Sequence, residues 1–328
     1  MKPIPLLCVL VAPLGCVPDA WYAEGDLIGS CGDGLDNDGD GLFDCADDGC
    51  DDRVACVDAP IHEEGQFVEI IPTDPEDRYS PDCDVLYPVI GDQILEGAGA
   101  VDGFCASGNA VQGNLTVVLG SGEGLERLGC LCAVSGTLTV SAPGADGLSW
   151  TGIETLGSLI VESLAPGATV RLDSLLGAEN ITVLTDLGRL ELPSLLHLGG
   201  ALQIVGSAIE ELDASSLETA GAVVLRDVPN LGSPELGSLR LVTGPMVLEG
   251  TALSDLDDVN SIESVGADLA IRDNALLEEV VGLESLDFVG GDLLITGNDV
   301  LRPDYVTEQT AHIEVGGDRI VYDNGGSL

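Results

Sequence analysis

The sequence has little positive charge and few aromatic side chains. Its 328 residues include 57 acidic residues against 11 lysines and arginines, a formal net charge of −46 at pH 7. Such a surface repels phosphate backbones and anionic lipid headgroups, so we expect no nucleic-acid partner. Lys2 is the only lysine. Beyond it the chain therefore offers no lysine for a Schiff base, a phosphate-binding loop or general-base catalysis.

Several enzyme signatures are also missing. The three histidines, His62, His197 and His312, lie far apart, so a zinc-hydrolase arrangement has no support. No G-x-S-x-G segment occurs, and beyond the leader no run of 18 or more apolar residues could span a membrane. Aromatics make up 3% of the chain, but aliphatics are plentiful and the mean hydropathy is +0.30. This composition argues against disorder throughout.

The N-terminus has the pattern of an export signal. One positive charge at Lys2 precedes an apolar segment from Ile4 to Leu14, and Leu14-Gly15-Cys16 follows. The ending resembles a bacterial lipobox, although Pro13 stands where leucine is usual. We predict a signal peptide at residues 1–15 and a tether at 16–30, with Cys16 lipidated. The protein would then be anchored in the bacterial cell envelope, with the outer membrane favoured, or otherwise secreted.

Cysteine usage agrees with export. Eight cysteines remain once Cys8 and Cys16 are set aside: Cys31, Cys45, Cys50, Cys56, Cys83, Cys105, Cys130 and Cys132. An even, clustered set in an exported chain predicts disulfides, whose pairing the spacing does not determine. A zinc site is the alternative, but it lacks paired C-x-x-C spacings and a nearby histidine.

Residues 31–56 form an acidic, cysteine-bounded module. Residues 31–52 read CGDGLDNDGDGLFDCADDGCDD. A twelve-residue calcium loop starting at Asp36 places Gly41 at the sharp turn. The predicted ligands are Asp36, Asp38, Asp40, the carbonyl of Leu42, Asp44 and Asp47. The alternative interpretation is a solvated acidic linker.

This module differs from an EF-hand, because its last ligand is aspartate and its flanks cannot form two helices. It resembles the helix-free DxDxDG repeats of extracellular proteins and a short module of exported myxobacterial proteins. We predict structural calcium. Residues 57–104, with five prolines, are interpreted as an extended connector.

From Cys105 onward the sequence repeats every 21 to 26 residues. The predicted strands start at Leu115, Leu138, Leu159, Ile181, Leu202, Val223, Met246, Leu269, Leu293 and Arg319. The residue two positions after each start is aliphatic, which predicts two inward side chains at period two. The residue two positions before each start is glycine in eight of ten repeats: Gly113, Gly136, Gly157, Gly200, Gly221, Gly244, Gly291 and Gly317. These glycines predict a turn before each strand.

A second apolar set lies between strands, as at Val280, Leu283, Leu286 and Val289. One coil cannot bury its own apolar face, so stacked coils must form a common core. We predict an all-β solenoid over residues 105–328, with one long parallel sheet and one short strand per coil. Arg319 replaces the inward aliphatic residue in the last coil and predicts a polar cap that stops further stacking.

The late coils, GADLAIRDNALLEEVVGLESLDFVGGDLLITGNDVL, resemble the receptor L-domain family. The shared features are Gly-x-Leu-x-Ile, an asparagine closing the strand turn at Asn274, Asn298 and Asn324, and Leu-x-x-Leu before the next glycine. Cys105, eight residues before Gly-Asn-Leu-Thr-Val, resembles the family's entry cysteine. The resemblance covers about residues 105–326 and is loosest at 145–195. It implies a right-handed, leucine-rich-repeat-like β-helix that binds rather than catalyses, and it transfers no ligand.

The leading hypothesis is therefore a non-enzymatic recognition or adhesion module at the cell surface. Its partner would be a protein or a glycan, with membrane contact only through the lipid anchor. The alternative is an exported β-helix enzyme acting on polysaccharide. The absence of lysine and the scarcity of aromatics in the coils argue against that alternative.

The residue after each strand start should point outward, because its two neighbours point inward. Over the last five coils this gives an apolar strip of Val224, Val247, Ala270, Leu294 and Ile320, roughly 19 Å long at about 4.8 Å per rung. The neighbouring outward row is Arg226, Glu249, Arg272, Thr296 and Tyr322. Opposite charges on adjacent rungs should pair along it. We predict that this face is the interaction site.

Overall fold

The computed structural model describes Cys83, residues 86–120 and residues 124–325. All of them belong to one compact unit, Pro72–Leu328. The predicted signal peptide, Cys16, the tether and the calcium module lie outside the described residues. Among those described, no helix has the length and apolar character needed to cross a membrane.

The described chain consists mainly of parallel strands, and eleven of them form a main ladder. Its strands are β2 (Gln93–Glu96), β4 (Leu115–Val118), β5 (Ala133–Ser141), β7 (Thr155–Ser163), β9 (Gly177–Val183), β11 (His197–Val205), β13 (Thr219–Val228), β15 (Met246–Thr251), β17 (Leu269–Arg272), β19 (Leu293–Thr296) and β21 (Arg319–Tyr322). Each predicted start residue, from Leu115 to Arg319, is aligned with the next start residue. The predicted register is confirmed.

A second ladder runs beside the main one and was not predicted. It contains β1 (Pro88–Ile90), β3 (Ala110–Gln112), the first halves of β5, β7, β9, β11 and β13, and then β14 (Leu241–Val242), β16 (Ser264–Val265), β18 (Phe288–Val289) and β20 (Glu314–Val315). The five longer strands join the two ladders into one 17-stranded sheet. Most coils thus contribute two paired segments instead of the single strand expected.

The glycines between the two ladders are required by close packing of successive coils. A Cβ at Gly136 would lie 2.7 Å from the carbonyl oxygen of Gly113, and one at Gly244 would lie 2.6 Å from that of Gly221. At Gly291 a Cβ would overlap Oδ1 of Asp268, the oxygen that accepts the backbone N–H of Asp292 at 2.8 Å. Real Cβ atoms do not approach other atoms so closely, so only glycine fits these corners.

A separate four-stranded parallel sheet forms a further side of the middle coils. Its strands are β6 (Gly147–Trp150), β8 (Ala168–Leu172), β10 (Leu187–Glu191) and β12 (Glu211–Asp213), in the order β12-β10-β8-β6. It occupies the segment where the repeat is least regular in sequence. Elsewhere the corresponding parts of the coils include 3₁₀ turns at Leu125–Cys130, Asp257–Val259 and Val281–Leu283, and the α-helices are α1 (Ala98–Cys105) and α2 (Pro303–Gln309).

The core is one continuous cluster of aliphatic side chains that extends from Leu95 to Ile313. Leu138 and Val140 of β5 are fully buried, as predicted for the two inward positions, and Trp150 is buried with them. The second apolar set is also buried, with Val280, Leu283, Leu286 and Val289 between 0% and 3% exposed. Each such aliphatic residue contributes about 1.5–3 kcal/mol relative to an exposed one, so stacking of coils is the main source of stability.

The first and last described coils are held by different contacts. The sheet begins at Pro88, inside the segment interpreted as a connector, and disulfides Cys83–Cys132 and Cys105–Cys130 tie this first coil to the next ones. At the other end the guanidinium of Arg319 donates hydrogen bonds to Oγ1 of Thr310 at 2.8 Å and to the carbonyl of Ile313 at 2.8 Å. Arg319 therefore satisfies a hydroxyl and a carbonyl group of the preceding segment, and its role as a polar cap that stops further stacking stays a prediction.

Candidate interaction face

The predicted strip lies on the outward side of the main ladder. Val224, Val247, Ala270, Leu294 and Ile320 occupy successive rungs and are aligned with one another. Their neighbours on either side in each of the first four strands are buried in the core. The sequence-based placement of the strip is thus reproduced from β13 to β21.

The strip is less accessible than an isolated outward row would be. Val247 is 9% exposed and Ala270 is 4% exposed, yet neither belongs to the core cluster. Both side chains lie on the outer side of the sheet. Their low exposure follows from contact with the side chains of the preceding and following rungs. Val224, Leu294 and Ile320 are half-buried. The accessible apolar surface is therefore at the two ends of the strip rather than at its centre.

The charged row beside the strip pairs along the ladder as predicted. Oε2 of Glu249 lies 3.3 Å from Nε of Arg226 and 3.1 Å from Nη2 of Arg272. One carboxylate thus bridges the arginines of the preceding and following rungs. Thr296 is 9% exposed, whereas Tyr322 at the end of the row is 58% exposed.

The charged groups of this bridge lie close together, but they are not oriented for hydrogen bonding. Within the described chain, Nε of Arg226, Oε2 of Glu249 and Nε of Arg272 are inaccessible to water and make no hydrogen bond of good geometry. Charge attraction is therefore the main interaction between these three side chains. The side chains as a whole retain 40%, 23% and 35% exposure, so water still screens the attraction.

Aspartate and glycine alternate immediately after the charged row. Asp227, Gly250, Asp273, Gly297 and Asp323 all have left-handed backbone conformation, with φ between 50° and 71°. Oδ1 of Asp273 occupies the space above Gly297, where a Cβ would overlap it. Aspartate tolerates this conformation better than most residues, and glycine leaves room for it on the next rung. A row of carboxylates therefore borders the face, and the sequence analysis did not predict it. The alternation of aspartate and glycine at this position of successive repeats could have indicated it.

Two further apolar side chains lie outward on the second ladder. Leu241 and Phe288 are each 38% exposed, and the residues that follow them, Val242 and Val289, are buried. The Phe288 ring leans toward the corner, with Cε1 3.3 Å from where a Cβ of Gly290 would stand. The signal available in the sequence is an apolar pair that ends two positions before the corner glycine.

His197 is the first residue of β11. Its Nδ1 lies 3.0 Å from Oγ1 of Thr219 on the next rung. It belongs to the outward row of the second ladder and not to a loop. The two side chains form a short polar pair on adjacent rungs of the second ladder.

One carboxylate in the loop that follows β13, near β12 of the four-stranded sheet, has a perturbed pKa. Burial raises the pKa of Glu235, and repulsion from Asp213, Asp258 and Glu211 raises it further. Glu235 also has φ of 39°, so the loop holds an L-residue in left-handed conformation. The loop between β13 and β14 is therefore both strained and acidic.

The other predicted site residues are Cys16, the lipidation site, and the calcium ligands Asp36, Asp38, Asp40, Leu42, Asp44 and Asp47. All of them lie outside the described residues. Within the described part of the chain, no three His, Cys, Asp or Glu side chains come together in a way that could hold a metal ion. Comparisons of the chain with protein-family models, with curated proteins and with solved structures find no match.

Proposed function

We propose that the protein is a non-enzymatic recognition or adhesion module that binds a protein partner through the outward side of the main ladder. The observation that carries this proposal is the aligned apolar strip from Val224 to Ile320, edged by the Arg226–Glu249–Arg272 bridge. Apolar surface rimmed by charged groups is typical of interaction sites. Leu241, Phe288 and Tyr322 extend the accessible apolar area.

The charge distribution restricts the partner. The chain carries a formal charge of −46, and Asp227, Asp273 and Asp323 edge the strip. A partner with an apolar centre and basic surroundings would be steered toward this face, whereas an acidic one would be repelled. A glycan is the other candidate, because Phe288 and Tyr322 are partly exposed rings.

We further propose that the coils form a right-handed, leucine-rich-repeat-like β-helix similar to the receptor L-domain family. The parallel register, the inward aliphatics and the buried ladder of Asn274, Asn298 and Asn324 support that relationship. The family resemblance favours binding over catalysis.

For the rest of the chain we propose export, a lipid anchor at Cys16 and structural calcium at residues 36–47. The two disulfides of the first coils support an oxidising compartment. Membrane partition that is lost in Cys16→Ser would support the anchor. A mature protein that starts at another residue would exclude it.

The test of the interaction face is site-specific photocrosslinking on intact cells. A photoreactive phenylalanine analogue at Leu294 should crosslink to a partner, whereas the same group at Leu276 should not. Leu276 is 57% exposed but lies outside the strip, so it controls for chance contacts. Protease treatment of the cell surface should abolish the crosslink. Loss by glycosidase alone would indicate a glycan, and equal crosslinking from both positions would exclude this face.

Leu294→Glu with Ile320→Glu should also abolish the crosslink formed from a third position, Tyr322. These half-buried sites are preferable to Val247, where a carboxylate would lose most of its hydration. Retained binding by the double variant would contradict the proposal.

A polysaccharide-cleaving enzyme remains the alternative because Glu126, Asp146 and Arg171 line one cleft. Arg171 is, however, held by two acidic neighbours, Asp173 and Glu191, at 2.6 Å each. Release of reducing ends from acidic polysaccharides, lost in Glu126→Gln, would favour the enzyme.

A further inference from the structure

The outward side of the main ladder carries little charge in its early rungs. Along β5, β7, β9 and β11 the side chains that alternate with buried aliphatic residues are hydroxyl, amide or aliphatic groups. We call them the neutral surface, which consists of Thr137, Thr139, Ser141, Ser158, Ile160, Asn180, Thr182, Ala201, Gln203 and Val205. Two exposed carboxylates border it. Glu162 lies at a register shift of β7, and Glu179 lies at the corner between the two ladders, where a Cβ of Gly199 would overlap its Oε2.

The four-stranded sheet of the same coils shows that this neutrality is not a property of the coils as a whole. The alternating positions of β8, β10 and β12 include the charged side chains Arg171, Arg189, Glu191, Glu211 and Asp213. They pair along that sheet, as Arg189 does with Glu211 at 2.9 Å and Arg171 with Glu191 at 2.6 Å. Charged residues make up 21% of the whole chain, so their absence from the neutral surface has a separate cause.

The neutral surface is accessible, and several of its polar groups are unpaired within the described chain. Thr139, Thr182 and Gln203 make no side-chain hydrogen bond to another described residue. Gln203 is exposed, and Leu184, directly after β9, is 58% exposed. A surface that stays hydrated has no reason to exclude charge, since charged side chains are the usual solvent-facing residues. Burial under a partner supplies a reason, because unpaired charges are costly to dehydrate and are depleted from the centre of interfaces.

The neutral surface continues directly into the apolar strip. Thr182, Gln203 and Val224 occupy successive rungs, so the two surfaces together extend from β5 to β21, roughly 38 Å at about 4.8 Å per rung. A standard interface covers about 800 Å² of each partner, which corresponds to a patch roughly 28 Å across. The strip alone is roughly 19 Å long and is shorter than such a patch. The combined surface is long enough.

We propose that the neutral surface is part of the partner interface and is dehydrated in the complex. This inference rests on the proposed function and names the chemistry of the partner at the same outward face. The partner is an elongated protein that presents uncharged hydroxyl, amide and aliphatic side chains to β5–β11, and its apolar and basic groups to β13–β21. A charged group facing β5–β11 would lose its hydration without gaining a counter-charge, so acidic and basic surfaces are both disfavoured there.

Hydroxyl-radical footprinting tests this placement with a matched pair of leucines. Leu184 adjoins the neutral surface and Leu276 lies outside the face, and the two are 58% and 57% exposed. In the purified mature protein, radicals should oxidise both leucines to a similar extent. On intact cells, oxidation of Leu184 should be largely lost while that of Leu276 changes little. Equal oxidation of Leu184 in the two samples, or equal protection of both leucines on cells, would overturn the proposal.

Charge variants test the chemistry of the surface. Thr139→Glu with Thr182→Glu should weaken the crosslink from Leu294 roughly tenfold or more, because the partner must dehydrate two unpaired carboxylates. Ser149→Glu with Thr169→Glu adds the same charge to the four-stranded sheet and should leave the crosslink unchanged. Thr139→Val with Thr182→Val keeps the surface neutral and should also retain it. Equal losses in the two glutamate pairs, or a loss of the same size in the valine pair, would contradict the proposal.

The outcomes separate this inference from the proposed function. A Leu294 crosslink without protection of Leu184 would limit the interface to the apolar strip and overturn this inference alone. Protection of Leu184 without a Leu294 crosslink would contradict the strip as an interface and support the neutral surface. Protection that glycosidase removes and protease leaves would identify a glycan and overturn the protein assignment. If the Thr139→Glu, Thr182→Glu protein does not fold, the Leu184 footprint of the parent protein remains the deciding measurement.

Discussion

Oδ1 of Asn298 accepts the backbone N–H of Asn274, 24 residues earlier in the chain, at 3.0 Å. The same oxygen accepts a bond from Nδ2 of Asn274, and Nδ2 of Asn298 donates to the carbonyl of Ile271. Asn324 repeats the arrangement one coil later. A fully buried amide thus satisfies backbone groups of the preceding coil where its strand ends, which explains why asparagine recurs there.

The asparagine ladder gives the first prediction. Asn298→Ala leaves the N–H of Asn274 and the carbonyl of Ile271 buried without this partner. The free energy of unfolding should fall by about 3–5 kcal/mol, since each buried unsatisfied group costs about 1–3 kcal/mol. Asn230→Ala is the control, because that exposed amide makes one bond, at 3.2 Å to Ala208. Chemical denaturation measures both. Similar losses in the two variants would mean that the buried ladder is not a principal source of stability.

The corner glycines give the second prediction. Gly136→Ala should destabilise by several kcal/mol or prevent folding, because the added methyl group meets the preceding coil's backbone at 2.7 Å. Gly120→Ala is its control, since no atom of the described residues lies within 4 Å of a Cβ built there. Thermal unfolding should place Gly120→Ala near the parent protein. An unaffected Gly136→Ala would show that the corner can open.

The main ladder was predictable because its signal is local and repeated. From β4 to β19 each strand of the main ladder supplies an apolar pair at period two, such as Leu138 and Val140, and most follow a corner glycine. The second ladder contributes as few as two residues per coil, as at Leu241–Val242, and so few residues carry no recognisable period. The pairing of Cys83 with Cys132 depends on how the first coils stack, which cysteine spacing does not encode.

The candidate face was predictable in register but not in accessibility. Alternation places Val247 outward, yet its exposure depends on the neighbours that flank it on the preceding and following rungs. Likewise, adjacent-rung positions predict that Glu249 pairs with Arg226 and Arg272, but not that the groups are misaligned. The cleft beside β6 depends on a sheet absent from the predicted fold, so it could not be anticipated.

The third prediction concerns pH. The pKa of Glu235 is raised in the folded protein, mainly by burial and then by Asp213 and Asp258. The folded state therefore favours the protonated acid. Its contribution to stability is fully present below the unfolded pKa and is lost as pH rises through the raised folded value. Relative to the parent protein, Glu235→Gln should gain stability as pH increases through this interval and little below it.

Denaturant midpoints of Glu235→Gln and of the parent protein, measured across that pH interval, test the expected direction of the stability difference. In a complementary NMR titration, Asp258→Asn should lower the pKa of Glu235. A stability difference that shrinks with rising pH would be opposite to the expected direction.

The fourth prediction concerns the acidic module. Asp38→Ala with Asp40→Ala should abolish calcium binding by the mature chain in calorimetry, because both side chains are assigned as ligands. Asp51→Ala with Asp52→Ala removes the same charge outside residues 36–47 and should preserve saturable binding. Equal weakening in both double variants would point to diffuse attraction of cations by an acidic segment.

The fifth prediction returns to Glu249, which lies between two arginines on adjacent rungs. Glu249→Gln removes the shared negative charge and leaves Arg226 and Arg272 to repel each other, so unfolding should become easier by about 1 kcal/mol at low salt. The penalty should shrink at molar salt, because screening weakens both the lost attraction and the new repulsion. Glu263→Gln is the matched control. Its single pair with Arg240 spans 3.3 Å between side chains that are 59% and 69% exposed, so its loss should be close to zero. Urea denaturation of Glu249→Gln and Glu263→Gln at low and at molar salt measures both losses of stability and their salt dependence. A salt-independent loss in Glu249→Gln would mean that the carboxylate acts by packing against the arginine stems and not by its charge.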